Sequence, residues 1–216
     1  MSPKFAAAVD PIILYVLHVL ERIERNEDLD PSEERIRILG QIKRAEEKLA
    51  STPDWELAKY ALVAWAEDSL KEAPWHGAEH FVMNSLEFEV FGTQEYYTRF
   101  FTKAREAAAA QALDALETYY ICVVLGFRGL YGSANEGELA LFVGELGLPP
   151  SVEAWSKQTS SQIKYGLGRK RAEARPLFGD GAPPLWARFQ LLGWSAICVA
   201  LAAVVSLLGY LYLNEI

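Results

Sequence analysis

The stretch LDALETYYICVVLGF, residues 113–127, decides what kind of protein this is. After Thr118 nearly every position is apolar, so a helix here presents no polar stripe to water. A helix that is apolar all round belongs in an interior, and this one is expected to be the buried centre of a helical bundle.

Reading outward, the neighbouring segments repeat helical spacing between clear start and stop signals. Asp10-Pro11 reads as an N-cap followed by proline at the first helical position. Ile12, Val16, Val19 and Ile23 follow at helical intervals, widened by Ile13, Leu17 and Leu20. Asp30-Pro31 repeats the start signal, with Glu33 placed to complete a capping box. Ile38, Ile42, Ala45 and Leu49 form the inner face of that second helix, while Glu33, Arg35, Lys43, Glu47 and Lys48 face outward. Thr52-Pro53 starts a third helix, rich in Ala, Leu and Trp, running to about Lys71. Pro74-Trp75-His76-Gly77 interrupts, and a short fourth helix runs to Phe91, where Gly92 fits a helix end and Thr93 can cap the next. Tyr97, Phe101 and Ala104 give the fifth helix an aromatic inner face. Ser133-Ala134-Asn135-Glu136 is a capping box that opens a last helix ending near Leu146. Strand alternation is absent over any useful length. The reading is all-α, with about seven helices over residues 1–146.

Beyond them the composition changes. Residues 147–187 are rich in Gly, Pro, Ser and basic side chains, and read as a neck with little core. From Phe189 to Leu213 no residue is charged. As a helix that run spans roughly 37 Å, enough to cross a hydrocarbon core of about 30 Å with some tilt. A helix satisfies its own backbone groups, so the expectation is one transmembrane helix over 188–213 and a short periplasmic tail, 214–216. Arg169, Lys170, Arg171, Arg175 and Arg188 precede the span and no cation follows it, which puts the N-terminal part in the cytoplasm. Trp186, Trp194, Tyr210 and Tyr212 sit near its two ends, where amphipathic rings favour the interface. The N-terminus lacks the apolar core and cleavage pattern of a signal peptide.

Charge is unevenly divided. Residues 1–150 hold 14 Lys+Arg against 25 Asp+Glu, a balance of −11, whereas residues 151–216 hold 7 against 4, a balance of +3. An acidic body should be repelled by nucleic acid, while the basic neck suits the anionic headgroups of a lipid bilayer. The two cysteines, Cys122 and Cys198, lie in apolar helical surroundings and read as small hydrophobes rather than a disulfide.

Catalytic signals are sparse. His76-Gly77-Ala78-Glu79-His80 fits an H-x-x-E-H zinc-peptidase pattern, in which two His one turn apart bind metal and the Glu activates water. Pro74 and Gly77 place His76 at a helix start or in a loop, and a third ligand would have to come from a distant Glu such as Glu145. His80 as a half-buried aromatic is the better reading, with no metal and no cofactor. Glu67 and Asp68 follow an apolar run and point about 100° apart, so they are no catalytic pair by spacing. They read either as a solvated helix end or as the acidic edge of a partner-binding cleft. Glu87 and Glu117 are embedded among apolar residues and need a hydrogen-bond or cationic partner, for which Arg128 is a candidate.

The middle of the chain resembles the TssL/DotU (IcmH-like) family of bacterial secretion-system proteins. The residues that carry this are Tyr60-Ala61-Leu62 with Glu67-Asp68, then Pro74-Trp75, Ser85-Leu86-Glu87, Phe91-Gly92-Thr93 and Phe100-Phe101. The most specific block runs from Leu116-Glu117 through Tyr119-Tyr120, Cys122 and Gly126-Phe127 to Gly129 and Tyr131. The acidic pair stands in the reverse of the family's usual order, and His80 stands where an aromatic Trp is common. The resemblance implies a hook-like, all-helical cytoplasmic domain and a structural role without catalysis. It implies a place in the inner membrane beside a TssM/IcmF-like protein, recruitment of baseplate components such as a TssK-like protein, and self-association. Type VI secretion is the expected home, with type IVB the alternative the shared family leaves open. Some members continue past the membrane into a peptidoglycan-binding domain; here cell-wall contact is expected from another protein.

On this reading Glu67, Asp68, Trp75, His80 and Glu87 are the partner-binding candidates. Phe91, Gly92, Phe101, Glu117, Tyr120, Gly126, Phe127, Gly129 and Tyr131 are expected to determine the fold.

Overall fold

The computed structural model describes residues 1–50, 52–133 and 135–166, and within them the chain is all helical. The order is α1 (Pro3–Glu24), α2 (Pro31–Leu49), α3 (Pro53–Glu72), α4 (Ala78–Met83), α5 (Leu86–Phe91), α6 (Tyr96–Ala109), α7 (Leu113–Val124), α8 (Leu130–Ser133), α9 (Glu136–Leu146) and α10 (Val152–Gly166).

The first helix starts earlier than Asp10-Pro11 suggests. It begins at Pro3, and Pro11 lies inside it. A proline in a helix interior costs about 3 kcal/mol. Phe5, Ala8 and Val9 extend the buried stripe of Ile12, Val16, Val19 and Ile23, and burying a Phe and a Val is worth about 1.5–3 kcal/mol each. Burial therefore outweighs the broken turn. Ser2 ties the helix start down: its amide and its hydroxyl each donate to Asp114 at 2.6 Å. By length and composition α1 could also cross a membrane, yet its apolar stripe is taken up by α2 and α3. Glu34, nearly fully buried on α2, accepts from Tyr15 of α1 and pairs with Arg22 at 3.2 Å and Arg37 at 3.3 Å. Burial, then the bond to Glu34, pushes the Tyr15 hydroxyl up to about 12.

The caps of α2 and α3 form as the sequence implies, with Asp30 accepting from Ser32 N at 2.8 Å and Thr52 from Trp55 N at 3.3 Å. Only half of the first capping box is made, because Glu33 pairs with Arg37 at 2.9 Å. The box at 133–136 rests partly on residues outside those described.

The centre of the fold is α3 more than α7. Residues 58–67 are buried without a break, and α3 packs against α1, α2, α4, α5, α6 and α7. Ala58, Ala61, Ala64 and Ala66 are small enough to admit neighbours from every side. In α7 one face is buried (Ala115, Leu116, Thr118, Tyr119, Cys122, Val123), while Val124 is exposed. The apolar character of that helix reflects packing on both α3 and α10. Cys122 lies fully buried, its Sγ 3.6 Å from Ala61 O, and burial pushes its thiol well up; it is packing, not chemistry.

Three other expectations change. The single short helix ending at Phe91 is two, broken at Asn84-Ser85, where Ser85 Oγ accepts from Phe88 N at 3.1 Å and starts α5. Thr93 does not cap α6; Glu95 holds that position, and the Thr93 hydroxyl turns inward. The segment after Leu146 is no neck as far as Gly166. Trp155, Thr159 and Ile163 of α10 are buried against the body, and Tyr131 Oη donates to Pro149 O at 2.7 Å. Val152, Trp155, Thr159 and Ile163 recur at helical spacing, a stripe masked in the sequence by the Ser, Gln and Lys between them. The rest of the expected neck, 167–187, the span 188–213 and the tail 214–216 lie outside the described residues.

Candidate functional site

Two carboxylates build the frame of the site, Glu67 of α3 capping α5 and Glu87 of α5 capping α6. Glu67, near the end of α3, is fully buried. Its Oε2 accepts from Ser85 Oγ at 3.0 Å and from Glu87 N at 2.7 Å, satisfying the first turn of α5. Its Oε1 pairs with Lys71 one turn on. Glu87, also fully buried, extends the series. Its Oε1 accepts from Tyr60 Oη at 2.7 Å and Thr93 Oγ1 at 2.8 Å, and its Oε2 from Tyr96 N at 2.9 Å, the first residue of α6. Hydrogen bonds to charged groups are worth about 1.5–3 kcal/mol each, so every bond in this chain is a strong one. Neither carboxylate is open to a partner. The expectation that Glu67 and Glu87 line a binding surface is corrected by their burial: they lock α3, α5 and α6 together.

Asp68 is the acid that faces outward. With Glu24 and Glu72 it lines a cleft of about 280 Å³, whose apolar floor includes Leu20, Ile23 and Leu125 and whose edge includes Pro74 and Gly126. Burial, with Glu72 next and Glu67 adding, pushes the Asp68 carboxyl up to about 6, against a hydrogen bond from Tyr96 and the charge of Lys71. Lys71 Nζ sits 5.1 Å over the Tyr96 ring. Glu72 stands one turn from Asp68 on α3 and is readable from the spacing, whereas Glu24 of α1 and Tyr96 of α6 escape a sequence reading because only packing brings them to Asp68.

Trp75 seals the end of α3. Its Nε1 donates to Leu70 O at 2.9 Å, and its ring lies so close over Gly77 that a Cβ there would come within 2.5 Å. The ring lies tilted against Phe81, with centroids 6.0 Å apart. His80 is half-buried on α4 and edges onto Phe81 at 5.9 Å. Neither Trp75 nor His80 lines the cleft, although the Ala73-Pro74 segment before Trp75 does. His76 lies in the turn before α4, which begins at Ala78, so His76 and His80 are not successive turns of one helix. The geometry an H-x-x-E-H zinc site needs is not made, and no cluster of three metal-ligating side chains occurs among the described residues.

The aromatic and glycine positions support this frame from behind. Phe91 packs on Tyr60 at 5.0 Å, and Gly92, at φ +68, ends α5 in the left-handed region. Phe100 stacks on Phe127 at 3.9 Å, and Phe101 edges onto Tyr131 at 4.8 Å and Trp155 at 5.3 Å. Tyr120 is half-buried against that core. Gly126 adopts φ +116. Gly129, at φ +47, lies so close to Tyr97 O that a Cβ would be 2.9 Å from it. Arg128 does not serve Glu87 or Glu117; it donates to Val123 O and Phe127 O. Glu117 pairs instead with the amino group of Met1.

Comparison with known proteins bears on this arrangement. No curated protein matches the chain. A solved structure, the cytoplasmic domain of TssL from Acinetobacter baumannii, matches with a TM-score of 0.59 and 19% identity, covering 76% of this chain and 99% of that one. At that identity the match shows the fold. The profile of the family described as "Type VI secretion system protein DotU" matches residues 4–215. Spanning nearly the whole length, that match shows that the chain belongs to the DotU family of type VI secretion proteins, structural components rather than enzymes.

Proposed function

We propose that the protein is a tail-anchored structural subunit of the type VI secretion membrane complex, with its helical body in the cytoplasm and its C-terminus in the periplasm. The uncharged run 189–213 and the cations before it support that orientation. The body stands beside a TssM/IcmF-like membrane protein, associates with further copies of itself, and recruits a baseplate component such as a TssK-like protein. The observation that carries the recruiting role is the cleft of Glu24, Asp68 and Glu72, three acids held on a frame locked by the caps of Glu67 and Glu87. A rigid acidic cleft in an acidic body selects a basic partner surface, chiefly through encounter rate and specificity. Tethering raises the effective concentration of partners on the same membrane.

Charge reversal tests it. Asp68→Lys with Glu72→Lys should leave the helical content intact while co-purification of the cytoplasmic partner falls at least tenfold. Undiminished recovery of that partner would remove the cleft from the account. Glu67→Lys is no substitute, because it would bury a cation where three donors now point.

A further inference from the structure

We infer that the groove between α6, the Gly147–Pro150 turn and α10 binds a short acidic segment of another protein, one that carries an aliphatic side chain beside its carboxylate. The groove is distinct from the acidic cleft and has the opposite charge requirement. Its volume is about 450 Å³, within the range of sites that hold ligands or peptide side chains. Leu116 of α7 and the buried Trp155 of α10 give it an apolar floor, and Pro149 and Pro150 form a wall that offers no backbone N–H.

The polar groups at its rim point to a peptide. Gln158 and Gln162, both exposed, stand one turn apart on the same face of α10. Each side-chain amide offers a donor and an acceptor, the pair that an extended main chain requires. Arg105 supplies the charge. Its guanidinium donates to Leu146 O, which fixes its position at the rim. Gly147, at φ +60, leaves space beside it, where a Cβ would stand 3.4 Å from Nη1. Arg22, Arg25, Arg35, Arg37 and Arg99 each hold a carboxylate of this chain. Arg105 has none within 4.0 Å among the described residues, in a chain of net charge −8. Arg44 and Arg128 likewise have none, but of these three only Arg105 lines the groove, so it is the cation placed to meet an anion bound there.

The test uses the full-length chain in mild detergent and a displayed library of random seven-residue peptides. The wild type should enrich peptides that pair Asp or Glu with an adjacent aliphatic residue. A synthetic peptide of the winning sequence should bind Arg105→Glu and Arg105→Gln at least tenfold more weakly, and Gln158→Ala with Gln162→Ala several-fold more weakly. Asp68→Asn should bind it unchanged, which separates this groove from the cleft. Arg105 is exposed, so both of its variants should remain folded, losing at most the bond to Leu146 O; Arg105→Gln removes the charge without adding a like one. Failure to enrich acidic peptides, equal binding by the Arg105 variants, or loss of binding in Asp68→Asn would each overturn the proposal.

Discussion

Glu87 receives donors from Tyr60, Thr93 and the backbone of Tyr96, so three segments meet at one carboxylate. Removing it leaves three donors facing a void, and a buried unsatisfied group costs about 1–3 kcal/mol. Glu87→Ala should therefore lose about 3 kcal/mol or more of stability, read as a shift in urea midpoint at unchanged slope. Asp68 behaves differently, because its carboxyl sits at about 6, above the ordinary value of about 3.9. The folded state binds its proton more tightly than the unfolded chain does, so this group adds stability as pH falls through about 6 toward the ordinary range. Relative to Asp68→Asn, the wild type should gain stability between pH 7 and pH 5 in urea titrations, while its grip on a basic partner weakens over the same interval. The sequence marks Glu87 as an acid among apolar neighbours that needs a partner, and leaves Glu67 between a solvated helix end and the edge of a cleft. It does not tell a buried cap from a cleft acid, because the deciding donors lie on other segments, 18 and 20 residues from Glu67 and up to 27 residues from Glu87.

At the scale of elements, helix boundaries are written where a local cap decides them and obscured where packing does. Asp30 and Thr52 start their helices as their types imply. The true start of α1 and the whole of α10 follow from burial against distant helices, and local composition argues against both. Trp155 makes the consequence measurable: it is buried and meets Phe101, so Trp155→Ala should cost about 3–5 kcal/mol. Glycines divide in the same way. Gly129 has a left-handed φ and Tyr97 O against its missing side chain, so Gly129→Ala should destabilise by more than about 1 kcal/mol. Gly40, inside α2, meets nothing within 4 Å, and Gly40→Ala should stabilise by about 0.5–1 kcal/mol. Thermal melts of the two variants should move in opposite directions.

For the whole molecule, composition alone divides the sequence into an acidic, helix-patterned body, a cluster of cations and an uncharged run of membrane length, but it ends the body at Leu146, short of α10. How the body is assembled is less legible, because α3, α5 and α6 are joined by buried carboxylates whose partners come from packing. The all-helical fold and the family agree with the reading. The account depends most on the run after Arg188 as the membrane tether, and α1 makes that test discriminating because it is the other segment of membrane length and composition. Liposome flotation after alkaline wash, comparing the full chain with one ending at Gly166, is the direct measurement. Full-length protein should float with the lipid while the shortened protein, α1 included, stays at the bottom. A full chain left in the dense fraction, or a shortened chain that floats with it, would contradict the account.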